Sequence, residues 1–162
     1  GFRNKIGRVD SMLREELNES LKKAIKSKET CAISTIRLIL AALKDRDIAA
    51  RSKGNTDGVG DDSILQLLQT MVKQRHDSSA LYKKGNRPEL AARELQEIEI
   101  IKSFMPEQMD EIEIKSAVVQ MVEELNASSL KEMGSVMSAL RKRYAGRMDF
   151  SKASAMVKQS LA

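Results

Sequence analysis

The sequence predicts an all-α protein in which an N-terminal four-helix bundle-like domain is followed by a small three-helix C-terminal module. Aromatic residues make up only 3% of the 162 residues, and tryptophan is absent, whereas sheet-rich domains draw on aromatic and β-branched residues. The chain draws instead on Leu, Ala, Glu, Lys and Met, which are good helix formers. Apolar residues recur at helical spacing over most of the length, and no segment predicts a strand.

The first two helices are predicted from apolar residues spaced three or four apart. The first begins at Met12 with Ser11 as its cap, and its inward face is Leu13, Leu17, Leu21, Ala24 and Ile25. The second runs from about Glu29 to Arg51, with an inward face of Ile33, Ile36, Ile39, Leu40 and Leu43. Residues 52–60 hold three glycines and little to bury, which predicts a flexible loop. Residues 1–11 have no apolar region typical of a secretory signal. We take them as an extension or as a remnant of expression or processing.

The third and fourth helices are predicted between Asp61 and Pro106. Asp61 or Asp62 can cap the third helix, whose apolar residues are Ile64, Leu65, Leu68, Met71, Val72, Leu81 and Tyr82. Gly85 and Asn86 form a stop signal, and Pro88 suits the first turn of the next helix. Leu90, Leu95, Ile98, Ile101 and Met105 define the fourth helix, which Pro106 ends. We expect Met105 to Asp110 to be a linker between a domain of residues 12–105 and a module of residues 106–162.

Three shorter helices are predicted after this linker. Asp110 and Glu113 have the spacing of a capping box, as do Ser129 and Glu132. The fifth helix has Ile114, Val118, Met121, Val122 and Leu125 on one face, and Asn126 ends it. The sixth has Leu130, Met133, Met137, Leu140 and Tyr144 on one face, and Gly146 ends it. Asp149 or Ser151 begins the seventh, with Ala153, Val157 and Leu161 inward.

Composition limits the location and the chemistry of the protein. The single cysteine, Cys31, excludes an intramolecular disulfide and any cysteine-based metal cage. No apolar run approaches the roughly 20 residues that span a bilayer, so we expect a cytoplasmic protein with no membrane partner. The net charge of +5 is distributed as +5 over residues 1–60, −4 over residues 61–114 and +4 over residues 115–162. This pattern suits a polyanion partner such as RNA, and equally a charged surface that maintains solubility.

No catalytic constellation stands out in the sequence. The only histidine, His76, is interpreted as a surface residue, and Cys31 as a small buried hydrophobe. Glutamates near the fourth helix lack the histidines of a di-iron site, and we expect Arg75 or Lys73 to pair with one of them. Nucleotide-binding glycine patterns and zinc spacings are absent. The sequence therefore predicts no cofactor, no metal and no catalytic residue.

The C-terminal stretch carries the candidate binding residues. Residues 141–162 contain six basic side chains and one acidic one, a net charge of +5. The functional interpretation is a surface that contacts phosphates, while cations in the last turn of a helix also stabilise its negative end. The candidate nucleic-acid-binding residues are Lys131, Arg141, Lys142, Arg143, Arg147 and Lys152. Gly134, Ser135 and Ser138 form a face of small residues that suits a partner. A helical protein–protein interaction module with no RNA role is the alternative.

Several segments together resemble one family. Residues 130–137 (LKEMGSVM) with 144–149 (YAGRMD) are similar to the tail motif of the GatB/YqeY family. Residues 72–75 with 77–78, and 97–101 leading to 105–108, resemble motifs of the same family in the correct order. The likeness covers Met12 to the C-terminus and is greatest to the stand-alone YqeY-like proteins. Asn126 stands where the family pattern has glycine, and both residues accept left-handed geometry.

The resemblance implies a function that the spacing alone does not. The related tail belongs to the B subunit of the glutamine-dependent aminoacyl-tRNA amidotransferase, where it helps to hold tRNA. Membership would imply an association with carbon–nitrogen ligases that use glutamine as amido donor, although nothing in this chain matches the catalytic domain of that enzyme. The expected function is therefore a tRNA-binding accessory module. Its expected partners are tRNA and an aminoacyl-tRNA synthetase or amidotransferase component.

Overall fold

The structure is a computed structural model that describes residues 12–162. All regular structure within these residues is helical, which confirms the predicted all-α class. The helices are α1 (Met12–Lys26), α2 (Thr30–Arg51), α3 (Asp61–Lys84), α4 (Pro88–Lys102), α5 (Glu111–Glu124), α6 (Met133–Arg143) and α7 (Phe150–Leu161), and a 3-10 turn, Leu130–Glu132, precedes α6. Ser11, the predicted cap of the first helix, and the rest of residues 1–11 lie outside the described residues.

The described chain divides into two compact units. Of the described residues, 12–105 form the N-terminal unit, which contains α1 to α4, and Pro106–Ala162 form the C-terminal unit, which contains α5 to α7. Each unit has its own buried apolar cluster. Each is therefore described by itself.

The core of the N-terminal unit is built from one face of each helix. Its buried members are Leu13, Leu17, Ile36, Ile39, Leu43, Ile64, Leu67, Leu68, Met71, Ile101 and Phe104. Four predicted apolar positions prove to be exposed instead: Ile25, Leu81, Leu90 and Leu95. On α1 and α4 the reason is angular, because at 100° per residue Ile25, Leu90 and Leu95 stand at the edges of the buried arc. Helical spacing predicts the arc but not how far the neighbouring helices cover it.

A polar cluster around Asp47 fixes the end of the loop between α2 and α3. The Asp47 carboxylate accepts hydrogen bonds from Arg14 Nη1 at 2.8 Å and from the Val59 backbone N–H at 2.9 Å. Arg14 Nη2 also donates to the Val59 carbonyl at 3.0 Å. Gly58 has φ +89°, and a Cβ there would meet Arg14 Nη2 at 3.0 Å. The segment predicted as a flexible loop is thus attached at its C-terminal end to α1 and α2.

Helix α3 begins differently from the prediction. Gly60, not an aspartate, occupies the cap position, and Asp61 is the first helical residue. The Asp61 carboxylate accepts a hydrogen bond from the Leu13 backbone N–H at 3.2 Å. Its oxygen therefore satisfies a free N–H at the start of α1. A one-residue shift of this kind is common where several acidic residues stand near a helix start.

An ion pair joins α3 to α4, as predicted. Arg75 Nε donates to Glu97 Oε1 at 3.1 Å, and Arg75 Nη1 donates to the Met71 carbonyl at 3.2 Å. Both paired side chains are only 14% exposed, so the pair lies in a drier setting than an ordinary surface salt bridge. Burial and the nearby Glu97 charge raise the pKa of Glu94. The arginine therefore offsets a local excess of carboxylates.

The stop signals read from the sequence have the expected backbone conformation. Asn86 and Asn126 have φ of +58° and +51°, the left-handed region that asparagine tolerates better than most residues. Asp110 and Glu113 form the predicted capping box at the start of α5. Helix α4, however, ends at Lys102 rather than at the residue before Pro106. Among residues 12–162 no helix has the length and apolar character needed to cross a bilayer.

The Asp47 cluster makes stability depend on pH. The Arg14 hydrogen bond holds the pKa of Asp47 below its ordinary value. The pKa of Asp47 is thus lower in the folded chain than in the unfolded chain. Its contribution to the free energy of unfolding is therefore fully present at pH values above the unfolded pKa. This contribution is lost as the pH falls through the lowered pKa of the folded state.

Asp47→Asn should lower the free energy of unfolding at pH 7 by about 1–3 kcal/mol. It should also flatten the loss of stability below about pH 4. Urea unfolding followed by circular dichroism across a pH series measures both effects. The matched control is Asp77→Asn, an exposed position on α3 that forms no ion pair with any of residues 12–162, and it should change neither quantity.

Candidate nucleic-acid interface

The C-terminal unit encloses a core of small aliphatic and methionine side chains. Its buried residues are Ile114, Ala117, Val118, Met121, Val136, Met137, Leu140, Met148, Ala153, Val157 and Leu161. Met133 and Met156 are partly buried against it, so these methionines belong to the core and do not form an open groove. Leu125 and Leu130 were predicted to face inward but are 45% and 48% exposed. Both lie at helix boundaries, where the helical periodicity used for the prediction stops.

Hydrogen bonds tie the segment before α5 to the loop after α6. The Met109 backbone N–H donates to the Arg147 carbonyl at 2.9 Å, and Gln108 Nε2 donates to the Gly146 carbonyl at 2.6 Å. Arg147 Nε donates to the Glu107 carbonyl at 3.1 Å. Residues 107–109, predicted as linker, are thus integral to the C-terminal unit. They fix the position at which the chain turns from α6 to α7.

The turn itself depends on Gly146 and Asp149. Gly146 is buried and has φ +75°, a conformation that costs other residues free energy because Cβ crowds the backbone. Met148, fully buried, follows as an anchor in the core. The Asp149 carboxylate then accepts hydrogen bonds from the Ser151 and Lys152 backbone N–H groups and caps α7. Helix α6 is held by the core on one side and by this turn at its end.

One side of α6 remains open to solvent. Val136, Met137 and Leu140 face the core. The exposed residues Ser135, Ser138 and Lys142 lie on the opposite side, and exposed Gly134 and Arg141 lie at its edge, next to Met137 on the helix surface. Exposed Lys131 precedes them in the 3-10 turn. We call this set, together with Lys131, the α6 outer face. A Cβ placed on Gly134 would meet nothing within 4 Å, so this glycine is not needed for packing in the described chain.

Half of the predicted cations already have partners within the unit. Arg143 contacts Glu124 at 2.9 Å and 3.1 Å, which lowers the pKa of Glu124 and raises that of Arg143. Lys152 contacts Glu111 at 3.1 Å, and this contact raises the pKa of Lys152. Arg147 is the residue bonded to the Glu107 carbonyl. Each of these three cations is thus partly committed to structure.

The cations of the α6 outer face are less engaged. The guanidinium of Arg141 lies 5.9 Å from the centroid of the Phe150 ring, a cation–π distance that leaves its N–H donors available. Lys131 and Lys142 form no ion pair with any of residues 12–162. The structure therefore separates the six predicted cations into two sets. Sequence reasoning missed this division because Arg143–Glu124 and Lys152–Glu111 pair across helix boundaries, beyond the spacing that helix rules cover.

Other candidate residues offer no catalytic arrangement. His76 is exposed and Cys31 is half-buried. Among residues 12–162 no group of histidine, cysteine or carboxylate side chains is placed to hold a metal ion. Tyr144 and Phe150 pack against the core of the C-terminal unit. The described residues thus present a charged and polar surface, without a reactive pocket at α6.

Residues 14–161 match the family model of the YqeY-like proteins. The chain belongs to this family. The match covers all seven helices apart from the first residues of α1, so both units are part of the YqeY-like pattern. It supports the resemblance drawn from the motifs in α3, α4 and α6.

Fungal proteins with one shared name are similar to this YqeY-like chain. A protein of Lachancea thermotolerans is 33% identical over 115 residues, which cover 70% of the chain and 59% of the relative. Proteins of Kluyveromyces lactis and Clavispora lusitaniae are 28% and 33% identical, and the alignments cover 78% and 72% of the chain and 66% of each relative. All three are named "Altered inheritance of mitochondria protein 41, mitochondrial". The chain spans less than two thirds of the length of these relatives.

These names correct the predicted location. The sequence predicts a cytoplasmic protein, and this prediction is wrong, because the relatives are named as mitochondrial. The prediction used the single cysteine and the absence of a long apolar run. Those features do not distinguish one compartment of the cell from another.

Two glycines near α6 should respond in opposite directions to the same substitution. Gly146→Ala should destabilise the C-terminal unit by about 1–2 kcal/mol, because alanine must adopt the left-handed conformation. Gly134→Ala should leave it unchanged or up to about 1 kcal/mol more stable, because alanine favours a helix and the site is open. Hydrogen–deuterium exchange of the α5 to α7 amides in the full chain measures both. Equal effects at the two positions would contradict the backbone argument.

Proposed function

We propose that the C-terminal unit binds the phosphate backbone of a folded RNA through the α6 outer face, and that tRNA is the RNA class. The single observation that carries this proposal is the placement of exposed Lys131 and Lys142, which form no ion pair with any of residues 12–162, at the two ends of α6 with small exposed residues between them. The tRNA class comes from the likeness of residues 130–137 and 144–149 to amidotransferase tails. The charge pattern of the whole chain, basic at both ends, is consistent with it.

The chemistry of the α6 outer face suits phosphate oxygens. Lysine and arginine attract the backbone and release its counterions. The hydroxyls of Ser135 and Ser138 can donate hydrogen bonds to phosphate or to ribose hydroxyls. Gly134 adds no side chain, so a sugar–phosphate backbone can approach the helix closely. Arg143, Arg147 and Lys152 were predicted in the same site, and they contribute as a surrounding positive field rather than as direct contacts.

The same face is poorly suited to reading bases. Sequence-specific RNA recognition uses aromatic side chains that stack on unpaired bases. Tyr144 and Phe150, the aromatic residues of the C-terminal unit, pack against its core. Recognition by shape and backbone is therefore the proposed mode.

We further propose an accessory role without catalysis by this chain. Family resemblance connects it with carbon–nitrogen ligases that use glutamine as amido donor, and the described residues supply no metal group or paired acid and base at the α6 outer face. The chemistry would then belong to a partner, an aminoacyl-tRNA synthetase or an amidotransferase component. The chain would hold the RNA while that partner acts.

The relatives' names extend this proposal to a compartment. Because three similar fungal proteins are named as mitochondrial, we propose that this chain also works in mitochondria. A fluorescent fusion of the full-length natural protein should coincide with a mitochondrial marker. A diffuse signal throughout the cell would contradict the extension from the relatives to this chain.

Salt-dependent binding tests the RNA interface. Lys131→Gln with Lys142→Gln should weaken binding of the full chain to total tRNA and reduce the slope of log affinity against log salt by about 2. The matched control is Lys115→Gln with Lys158→Gln, which removes two exposed charges from α5 and α7. That control should retain the slope, because these lysines lie away from the α6 outer face. Fluorescence anisotropy over a salt series gives both quantities.

Other outcomes of this titration separate the alternatives. Equal losses in the two double variants would show a general charge effect and exclude the α6 outer face as the site. No binding to tRNA at low salt would favour the protein-interaction alternative. That alternative predicts a protein partner recovered after nuclease treatment and lost in Gly134→Trp, a substitution that adds bulk where the structure leaves open space.

A further inference from the structure

Helix α2 is apolar on both sides, although only one side is covered. Ile36, Ile39 and Leu43 face the core of the N-terminal unit and are at most 2% exposed. On the opposite side Leu38 and Ile48 are 49% and 52% exposed. Within residues 12–162, nothing covers this outer side of α2.

Two of the exposed charges on this side are arranged symmetrically about one small residue. Exposed Ala41 lies between Arg37, four residues before it, and Asp45, four residues after it. Both charged side chains are exposed and neither forms an ion pair with residues 12–162. Four residues correspond to about 6 Å along the helix. Opposite charges therefore stand at equal distances on the two sides of Ala41.

A groove and a projecting apolar side chain on this side of α2 follow the same symmetry. A shallow groove lies on the N-terminal half of this side, lined by Thr30, Ile33, Ser34, Arg37 and Leu38. Its centre is near Ser34, seven residues before Ala41, and exposed Ile48 stands seven residues after it. A groove and a projecting side chain are thus about 10.5 Å from the midpoint in opposite directions. One operation, a two-fold rotation through Ala41, brings Arg37 onto Asp45 and Ile48 onto the groove. It also places exposed Lys44 beside Leu38, where the aliphatic stem of the lysine can pack while its ammonium group stays in water.

We propose that the outer side of α2 is a homodimer interface in which two copies of the chain pack α2 against α2 in antiparallel orientation, crossing at Ala41. Arg37 of each copy then pairs with Asp45 of the other, and Ile48 of each copy enters the groove of the other. Such reciprocity is the requirement of a two-fold contact, in which residue i meets j and j meets i. A different protein would impose no symmetry on this surface.

The size of the surface sets the expected affinity. Stable dimers bury about 800 Å² on each partner, and one side of a single helix offers less. Alanine at the crossing point allows the helix axes to approach within about 8 Å, which favours packing of the flanking side chains. The expected dissociation constant is on the order of micromolar. The dimer should therefore be reversible and dependent on concentration.

Charge exchange between two variants tests the pairing. Sedimentation velocity of the full chain should show a monomer–dimer equilibrium from micromolar to near-millimolar concentration. Arg37→Glu and Asp45→Arg should each weaken self-association about tenfold or more, because each places two like-charge pairs in the dimer. Mixing the two variants should restore association as a heterodimer, because both contacts then become attractive.

Substitution of Ile48 tests the apolar contact. Ile48→Lys should abolish the dimer. Ile112→Lys on α5, where the native side chain is 80% exposed, is the matched control and should leave the dimer intact.

Cysteine crosslinking tests the register. In a Cys31→Ser background, Ala41→Cys should form a covalent dimer under mild oxidation, because each copy of this position faces the other at the crossing point. Ser34→Cys should not, because its two copies lie about 21 Å apart in the proposed arrangement. A chain that stays monomeric throughout the concentration range would overturn the proposal. So would a dimer that tolerates Arg37→Glu, or one that forms only after deletion of residues 1–11, because those residues would then occupy the surface.

Discussion

The C-terminal unit is held together by the hydrogen bonds between residues 107–109 and the loop at residues 146–147. A module of about fifty residues buries little apolar surface, and its core contributes only a marginal free energy. The bonds from Met109, Gln108 and Arg147 close the chain upon itself, and Met148 is buried directly after them. They fix the turn between α6 and α7, while burial of Val136, Met137 and Leu140 determines which side of α6 faces solvent.

The same constraint explains why the basic stretch divides into two sets. Arg147 supplies one of the closing hydrogen bonds, while Arg143 and Lys152 connect α6 and α7 to carboxylates on α5. Exposed pairs of this type contribute little free energy individually. They nevertheless hold their side chains along the edges of the unit. Only Lys131, Arg141 and Lys142 remain on the open side of α6, so position rather than number of charges defines the candidate interface.

Much of the fold was predictable because its signals are local. A capping box at Asp110 and Glu113 and left-handed asparagines at positions 86 and 126 act within four residues, and the structure has them where the sequence indicated. Helical periodicity likewise predicts the buried side of α7. The same reasoning assigned Ile25, Leu90, Leu95 and Leu130 to the interior, and they are exposed. Burial depends on the neighbouring helices, which a helical period does not describe.

The candidate site was less predictable for a related reason. A charge count identifies a basic stretch, but it does not show which cations are already paired through the fold. Arg143 and Glu124 are 19 residues apart in the chain, and Lys152 and Glu111 are 41 apart. The outer side of α2 shows the same limit. Helical spacing left Leu38 and Ile48 off the predicted inward face, but only the structure shows that no neighbouring helix among residues 12–162 covers them.

The two proposed surfaces belong to different units of the chain and have consequences for each other. The α6 outer face belongs to the C-terminal unit, and the α2 surface belongs to the N-terminal unit, so each can be altered alone. A dimer through α2 carries two α6 outer faces on one particle. Two weak backbone contacts on one RNA become intramolecular after the first has formed, and the effective concentration of the second raises the overall affinity. The α6 outer face carries few cations, but two such faces are sufficient to hold a folded RNA when one RNA molecule reaches both of them.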